Sequence, residues 1–187
     1  MLTVFFAIST QIRWEYRLKD DRGKTCKVTV DGTDCLIQTP SPFDSKWYSH
    51  KFKKSGLRYE VAVCIQTGWI VWLNGPYPCG KWPDITIFRH RLKHMLPPGE
   101  MVEADKGYRG EPFHVRVPDS AVSNADKKAS ARARARQETI NSRLKSFGCL
   151  SQRFRHPLDK HCVFFTAVAV MVQSSIMLGE EPWQIRY

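Results

Sequence analysis

The order of apolar and polar positions predicts a β-rich first half of the chain. Residues 27–37 contain a run of β-branched side chains that predicts a strand, whereas residues 40–54 are polar, hold prolines and serines, and predict a loop. Residues 59–73 form two β-rich runs separated by a Thr-Gly pair, which is the pattern of a β-hairpin. The glycine and proline residues within 74–83 are expected to interrupt this pattern.

The second half of the chain has mostly helical periodicity. Residues 84–96 predict an amphipathic helix with Asp84 as its N-cap. Residues 101–104 predict a short strand, and residues 115–117 are a candidate for another. Two long helices are expected at about residues 131–147 and at residues 161–178. Strands followed by helices in this mixed order predict an α/β sheet with helices packed on it.

Two apolar segments need to be distinguished from membrane or targeting sequences. The run at residues 1–10 has no basic residues before it and no clear cleavage site, which favours a strand or an irregular gene start over a signal peptide. Residues 162–178 are almost long enough to span a bilayer, but the polar residues at 173–175 interrupt them. A helix buried in the core is therefore favoured, and no membrane is expected as a partner.

The net charge indicates the class of partner, and the cysteine pattern indicates the redox state of the compartment. The chain has 29 Lys and Arg residues against 18 Asp and Glu residues, for a net charge of +11. This excess favours a polyanionic partner, chiefly nucleic acid, although a basic surface can also serve solubility alone. The six cysteines include no C-x-x-C pair, which favours free thiols in a reducing compartment over a disulfide framework.

Three acidic residues stand in short motifs that also carry basic or small side chains. Asp31 lies in V-D-G-T, Asp105 in A-D-K-G-Y-R-G and Glu138 in R-A-R-Q-E-T-I-N-S-R-L-K. Carboxylates are the ligands that Mg²⁺ prefers, and two such ions about 4 Å apart can activate water and stabilise a leaving 3′ oxygen. We therefore predict that Asp31, Asp105 and Glu138 are catalytic and metal-binding residues that use Mg²⁺ or Mn²⁺ to cleave nucleic acid.

The predicted helix at residues 131–147 carries the third acid on a polar stripe. At about 100° per residue, an arc of about 60° contains Arg134, Glu138, Asn141 and Lys145. The apolar residues Ile140, Leu144 and Phe147 fall on a different face and are expected to pack on the sheet. The polar stripe either faces a phosphate backbone or is a solvated face with an Arg134–Glu138 ion pair.

Basic and polar side chains near the acids are candidates for holding phosphates. Such contacts add affinity without reading sequence. The predicted nucleic-acid-binding residues are Lys106, Arg109, Arg134, Asn141, Arg143 and Lys145. Trp69 and Trp72 are able to stack on unpaired bases, but core packing is the favoured role for both.

Taken together, the motifs resemble the catalytic core of DDE transposases. The similarity is to the DDE superfamily endonucleases of the PIF/Harbinger type and to their bacterial insertion-sequence relatives. The matching stretches include V-D-G-T-D-C, G-P-Y-P-C-G-K-W-P-D, G-E-M-V-E-A-D-K-G-Y-R-G, the Glu138 motif and F-R-H at residues 154–156. The resemblance implies a ribonuclease H-like fold and metal-dependent DNA cleavage and strand transfer, with a triad of Asp31, Asp105 and Glu138.

The chain departs from this family pattern in two places. The bacterial signature Y-x2-R-x3-E-x6-K is matched at Arg134, Glu138 and Lys145, but Ala131 replaces the tyrosine. Relatives usually carry a helix-turn-helix region before the catalytic core, and the residues before Asp31 are too few for one. We expect a short segment at residues 1–25 and a catalytic domain at residues 26–187, with a basic, flexible insertion at residues 120–136.

These departures leave other functions open. A domesticated relative without catalytic activity would keep the fold and bind DNA or protein, and a two-metal site could also act on RNA or small phosphates. DNA is the expected partner, and a separate DNA-binding helper protein is a further candidate. The expected location is the nucleus in a eukaryote and the cytoplasm otherwise.

Overall fold

The chain forms an α/β fold in which helices flank a six-stranded mixed sheet, as a computed structural model of residues 11–120 and 123–182 shows. The strands are β1 Cys26–Leu36, β2 Tyr48–Ser49, β3 Lys54–Cys64, β4 Ile70–Pro78, β5 Met101–Ala104 and β6 Val115–Arg116. The helices are α1 Asp84–His90, α2 Asn124–Lys145, α3 Gly148–Ser151 and α4 His161–Met177. The predicted fold class, a ribonuclease H-like mixed sheet, is confirmed. The predicted strand at residues 1–10 lies outside the described residues.

Strand β1 is the centre of the sheet and determines where the acids lie. It pairs antiparallel with β3 and parallel with β5, and β5 pairs parallel with β6. Strands β2 and β4 pair with β3. In the parallel pair Val30 is the partner of Ala104, so the next residues, Asp31 and Asp105, follow paired positions on neighbouring strands. Strand pairing thus brings together two acids that are far apart in the sequence.

Both faces of the sheet are covered by apolar side chains. Along β3, Val61 and Val63 belong to a core cluster shared with α2 and α4. Ala62 and Cys64 belong to a second cluster, on the face covered by α1 and by a 3₁₀ helix at Trp14–Leu18. This alternation follows from the two-residue period of a strand. The sheet is therefore the middle of three layers, and side chains from α1 and α2 approach β1 from opposite faces.

The hairpin and the helix after it differ from the sequence prediction at their ends. Strand β4 continues to Pro78 through residues predicted to break it, because a strand at the edge of a sheet tolerates glycine and proline. Helix α1 ends at His90, and a 3₁₀ helix follows at Leu92–Met95. The N-cap of α1 is Pro83, so the predicted capping role of Asp84 is wrong.

Helix α2 begins well before the predicted position. Its N-cap is Ser123, whose hydroxyl oxygen accepts a hydrogen bond of 3.0 Å from the amide of Asp126. The residues between Asn124 and Arg136, predicted to begin as a flexible insertion, are therefore helical. Alanine, lysine and arginine dominate this stretch, and they favour a helix even without an apolar stripe.

Helix α4 covers the α2 side of the sheet. By length and composition, Leu158–Met177 could cross a membrane. In the structure one side of the helix, including Phe165, Val168 and Val172, packs into the core cluster. This contact is the one expected for a helix buried on the sheet.

Trp69, just before β4, and Trp72 within it are partly buried and pack against the core. Trp69 stacks edge-on against Tyr16 at 5.5 Å between ring centroids, and Trp72 stacks edge-on against Trp14 at 5.9 Å. Both partners lie in the segment that covers the α1 face. The structure therefore supports the favoured core role of these rings.

Candidate active site

Helix α2 lies along β1 in a register set by two side-chain hydrogen bonds. The Thr29 hydroxyl donates to Gln137 Oε1 at 2.7 Å, and Asn141 Nδ2 donates to Asp31 Oδ2 at 2.6 Å. Thr29 and Asp31 are two residues apart on the strand, a separation of about 6.6 Å, and Gln137 and Asn141 are four residues apart on the helix, a separation of about 6 Å. Because the two separations are nearly equal, both hydrogen bonds can form at once. The same register places Glu138, between the two helix residues, next to Asp31.

Asp31 is the acid whose pKa responds to the charges of the other acidic side chains. Burial raises the pKa of its carboxyl to about 7, and the charges of Glu138, Asp105 and Asp84 raise it in the same direction. These charges come from α2, from the end of β5 and from the start of α1. The structure thus brings the three predicted acids into one electrostatic cluster and adds a fourth, Asp84. We call these four residues the acidic cluster.

Asp105 and Glu138 reach the cluster from exposed positions. Asp105 follows the last residue of β5, and its Oδ1 accepts a hydrogen bond of 2.8 Å from the amide of Gly107. Glu138 lies on the exposed side of α2 and lines a cavity of about 390 Å³ between β1, α2 and the β2–β3 loop. Solvent and a substrate can therefore approach these two carboxylates.

Asp84 is the residue that the sequence analysis missed. It is the first residue of α1, and its Oδ1 is buried without a hydrogen-bond partner. Burial raises the pKa of Asp84, although the nearby guanidinium of Arg58 acts in the opposite direction. The sequence did contain evidence for a role of Asp84, because this residue ends one of the stretches that resemble DDE transposases. A plausible capping role at a helix start concealed it.

Lys51 is a second missed residue and the cation that faces the cluster. It is exposed in the loop between β2 and β3, lines the same cavity, and its charge lowers the pKa of both Asp31 and Asp84. The sequence predicted only a polar loop there, because the approach of the loop to β1 and α2 depends on the folded hairpin.

Two of the predicted phosphate contacts lie on the outer side of Asp105. Lys106 Nζ lies 3.4 Å from Asp119 Oδ1, and Arg109 also pairs with Asp119. All three side chains are more than half exposed, so these ion pairs contribute little to stability. Both cations can exchange Asp119 for a phosphate, and their role in binding DNA stays a prediction.

The basic residues of α2 are held mainly by the protein itself. Arg134 Nη1 lies 3.5 Å from Oε2 of the buried Glu103, and Arg143 Nη1 donates to the Glu180 carbonyl at 2.6 Å. Arg134 thus pairs with Glu103 on β5, where the alternative interpretation expected a pair with Glu138. The structure does not bring Arg143 to the acidic cluster.

Lys145 and Asn141 also have internal partners. The Lys145 ammonium donates to the Asp34 carbonyl, to the Leu150 carbonyl at 3.1 Å and to Cys35 Sγ at 3.3 Å. Its three hydrogens are therefore used, and a phosphate contact would require one of these bonds to open. Asn141 contacts Asp31 and positions that carboxylate.

The acidic cluster suits a hard divalent cation in the kind of ligand it offers. All four groups are carboxylates, and one oxygen of Asp84 is buried without a partner. Within residues 11–120 and 123–182, no three Asp, Glu, His or Cys side chains already form a set that could hold a metal ion. A cation would have to draw the carboxylates closer while relieving the repulsion around Asp31.

Asp31→Asn is expected to raise the melting temperature of the metal-free protein by at least about 2 °C at pH 8. The folded-state pKa of about 7 is above the unfolded value, so the charged carboxyl destabilises the fold at high pH. This penalty disappears as the pH falls from 7 towards 4. Thermal unfolding at pH 8 and pH 5 tests this. A variant that melts lower than the wild type at pH 8 would contradict it.

Most of the chain matches one known protein family. The family described as DDE superfamily endonuclease matches residues 30–173, a span that includes Asp31, Asp84, Asp105 and Glu138. No curated protein and no solved structure matches the chain significantly. The family match covers well over half of the sequence, and the chain belongs to the DDE superfamily endonucleases.

Proposed function

We propose that this protein is a divalent-metal-dependent DNA endonuclease of the transposase type, with Asp31, Asp105 and Glu138 as its catalytic carboxylates. The observation that carries the proposal is the convergence of the acids on Asp31 from three separate elements. Family membership supports nuclease activity of the transposase-like class. The motifs that resemble PIF/Harbinger proteins support the assignment of the chain to the PIF/Harbinger subtype.

The proposed chemistry is hydrolysis of a phosphodiester bond, with strand transfer as a further step. Endonucleases of this superfamily generally use divalent metals, and Mg²⁺ or Mn²⁺ held by the three carboxylates would activate the attacking water and stabilise the leaving 3′ oxygen. The chain's own contribution is positioning. Asn141 holds one oxygen of Asp31, and the Thr29–Gln137 bond fixes the register that keeps Glu138 beside it.

The DNA strand is proposed to run past the cavity beside Glu138. Lys51 lies at that cavity and faces the carboxylates, which places a cation where a phosphate would approach. Lys106 and Arg109 are exposed on the other side of Asp105 and would extend the contact. The net charge of +11 favours such a path through the phosphate backbone, and each contact adds salt-dependent affinity.

The proposal is tested by incubating the purified chain with supercoiled plasmid DNA. Nicked circles are expected with Mg²⁺ or Mn²⁺ and not with EDTA, because the acidic cluster alone cannot activate water. Restoring the metal after EDTA treatment should restore nicking. A parallel reaction with single-stranded RNA separates a DNA endonuclease from a ribonuclease. Nicking that persists in EDTA, or cleavage confined to RNA, would contradict the proposal.

A further inference from the structure

Asp84 packs against the glycines that lie next to the first and second proposed catalytic acids in the sequence. A Cβ atom added to Gly32, the neighbour of Asp31, would lie only 2.0 Å from Asp84 Oδ1. A Cβ atom added to Gly107 would lie 3.3 Å from Asp84 Oδ2 and 3.0 Å from Asp105 Oδ1. Asp84 Oδ1 therefore depends on Gly32 for room, Oδ2 lies close to Gly107, and the carboxylate is positioned between β1 and the segment that follows β5.

Local structure does not account for this carboxylate. Capping is excluded, because Pro83 is the N-cap of α1 and no side chain caps that end. The nearest cation, Arg58, gives its short hydrogen bonds of 2.6 and 2.9 Å to Asp34. Arg58 Nη1 lies 3.4 Å from Asp84 Oδ1, which remains buried without a hydrogen bond. A buried carboxylate oxygen in this state is costly unless a cation completes its environment.

Asp34 shows what a structural carboxylate looks like in the same neighbourhood. Its side chain is 1% exposed, and it accepts hydrogen bonds from Arg58 and, at 2.6 Å, from the Ser49 hydroxyl. Asp34 is thus fully engaged by the protein. Asp84 shares the same arginine and lies beside the same strand, but its side chain is 25% exposed and its Oδ2 lies near Gly107, beside Asp105.

We propose that Asp84 is a fourth carboxylate ligand of the proposed metal centre. The inference rests on the proposed function and adds a residue to it. Glu138 reaches the centre from α2 on one face of the sheet, and Asp84 reaches it from α1 on the opposite face. A bound cation supplies the countercharge that Arg58 provides only at 3.4 Å, while Arg58 keeps its bonds to Asp34.

The competing explanation is that Asp84 is structural, held by Arg58 and by the positive end of α1. The two explanations predict opposite signs for Asp84→Asn. A structural Asp84 would destabilise the metal-free fold when neutralised, because an ion pair is lost. A ligand would leave that fold as stable or more stable, because neutralising Asp84 relieves the burial of its charge and then the repulsion by Asp34 and Asp105. The loss would then be seen only in metal binding.

The test compares the full-length chain and Asp84→Asn by thermal unfolding with and without Mn²⁺, and by calorimetric titration with Mn²⁺. We expect an unchanged or higher melting temperature without metal, a smaller shift on adding Mn²⁺, and a dissociation constant raised at least about tenfold. Asp34→Asn is the control for a structural carboxylate and should melt lower without metal. Asp119→Asn is an exposed control that should change neither measurement.

The outcomes separate this inference from the function on which it rests. Equal Mn²⁺ binding by the wild type and Asp84→Asn, together with a lower melting temperature of the variant, would overturn the role of Asp84 and leave the proposed nuclease intact. A wild type that does not respond to Mn²⁺ would overturn the metal centre itself. Reduced binding in Asp84→Asn without loss of stability supports the inference.

Discussion

Asp31→Asn, Asp105→Asn and Glu138→Gln are each expected to reduce the rate of metal-dependent DNA nicking by at least about a thousandfold, equal to about 4 kcal/mol of activation free energy. Each substitution keeps the size of the side chain and removes one negative charge. The loss should be large because the three carboxylates act together in holding and positioning the cations, and each substitution removes one negative charge from that set.

The measurement is the initial rate of plasmid nicking in Mg²⁺ and in Mn²⁺, with circular dichroism as the check on folding. Asp119→Asn is the control carboxylate, because Asp119 is exposed and pairs only with Lys106 and Arg109 in the described structure. Its nicking rate should stay within about threefold of the wild type. A folded triad variant that nicks at the wild-type rate would remove that residue from the catalytic set.

Much of the fold follows from local patterns in the sequence. The predicted strand at residues 101–104 is β5 with the same bounds, and the last predicted helix differs from α4 by one residue. The errors arise where tertiary context outweighs a local signal. Strand β4 tolerates its glycine and prolines because it is an edge strand. Helix α2 starts early because strong helix formers need no apolar stripe to extend it.

The candidate site also has features that local motifs predicted and features that depend on tertiary contacts. The three acids were recognisable from their motifs, but their proximity comes from the Val30–Ala104 register and from the Asn141–Asp31 hydrogen bond. Neither contact can be seen in a single sequence. The helical stripe was expected to face a phosphate backbone or solvent, whereas Asn141 bonds to Asp31 on β1 and Lys145 bonds to backbone carbonyls.

Asp84 and Lys51 were missed for a related reason. Each has a sufficient local explanation, a helix start for one and a polar loop for the other. What distinguishes them is that the fold brings them close in space to residues that are distant in the sequence. The clearest sequence feature related to Asp84 is Gly32, because its lack of a side chain leaves the space that Asp84 Oδ1 occupies.

Arg58→Met is expected to destabilise the fold by about 3–5 kcal/mol at neutral pH, because it leaves a buried carboxylate without its partner. Arg58 and Asp34 are opposite each other on β3 and β1 and form two hydrogen bonds, and the Asp34 side chain is 1% exposed. Methionine fills much of the volume but cannot donate a hydrogen bond. The loss is therefore electrostatic more than steric.

The pH dependence of this loss identifies its cause. In the wild type, burial opposes ionisation of Asp34, but the hydrogen bonds and charge of Arg58 outweigh it and hold the pKa below its usual value. Stability from this pair is thus present above the unfolded pKa of about 4 and is lost as the pH falls. In Arg58→Met the pKa of Asp34 should rise instead, because burial, the largest influence, is then opposed chiefly by the hydrogen bond from Ser49.

The deficit of Arg58→Met relative to the wild type should therefore be largest near pH 7 and smaller near pH 4.5, where the lone carboxyl takes up a proton. Urea unfolding at both pH values measures it. The double variant Arg58→Met/Asp34→Asn should recover much of the stability at pH 7, because position 34 then carries no buried charge that lacks a partner. A deficit that is equal at both pH values, or a double variant no more stable than Arg58→Met, would show that Arg58 stabilises the sheet by packing and not by neutralising Asp34.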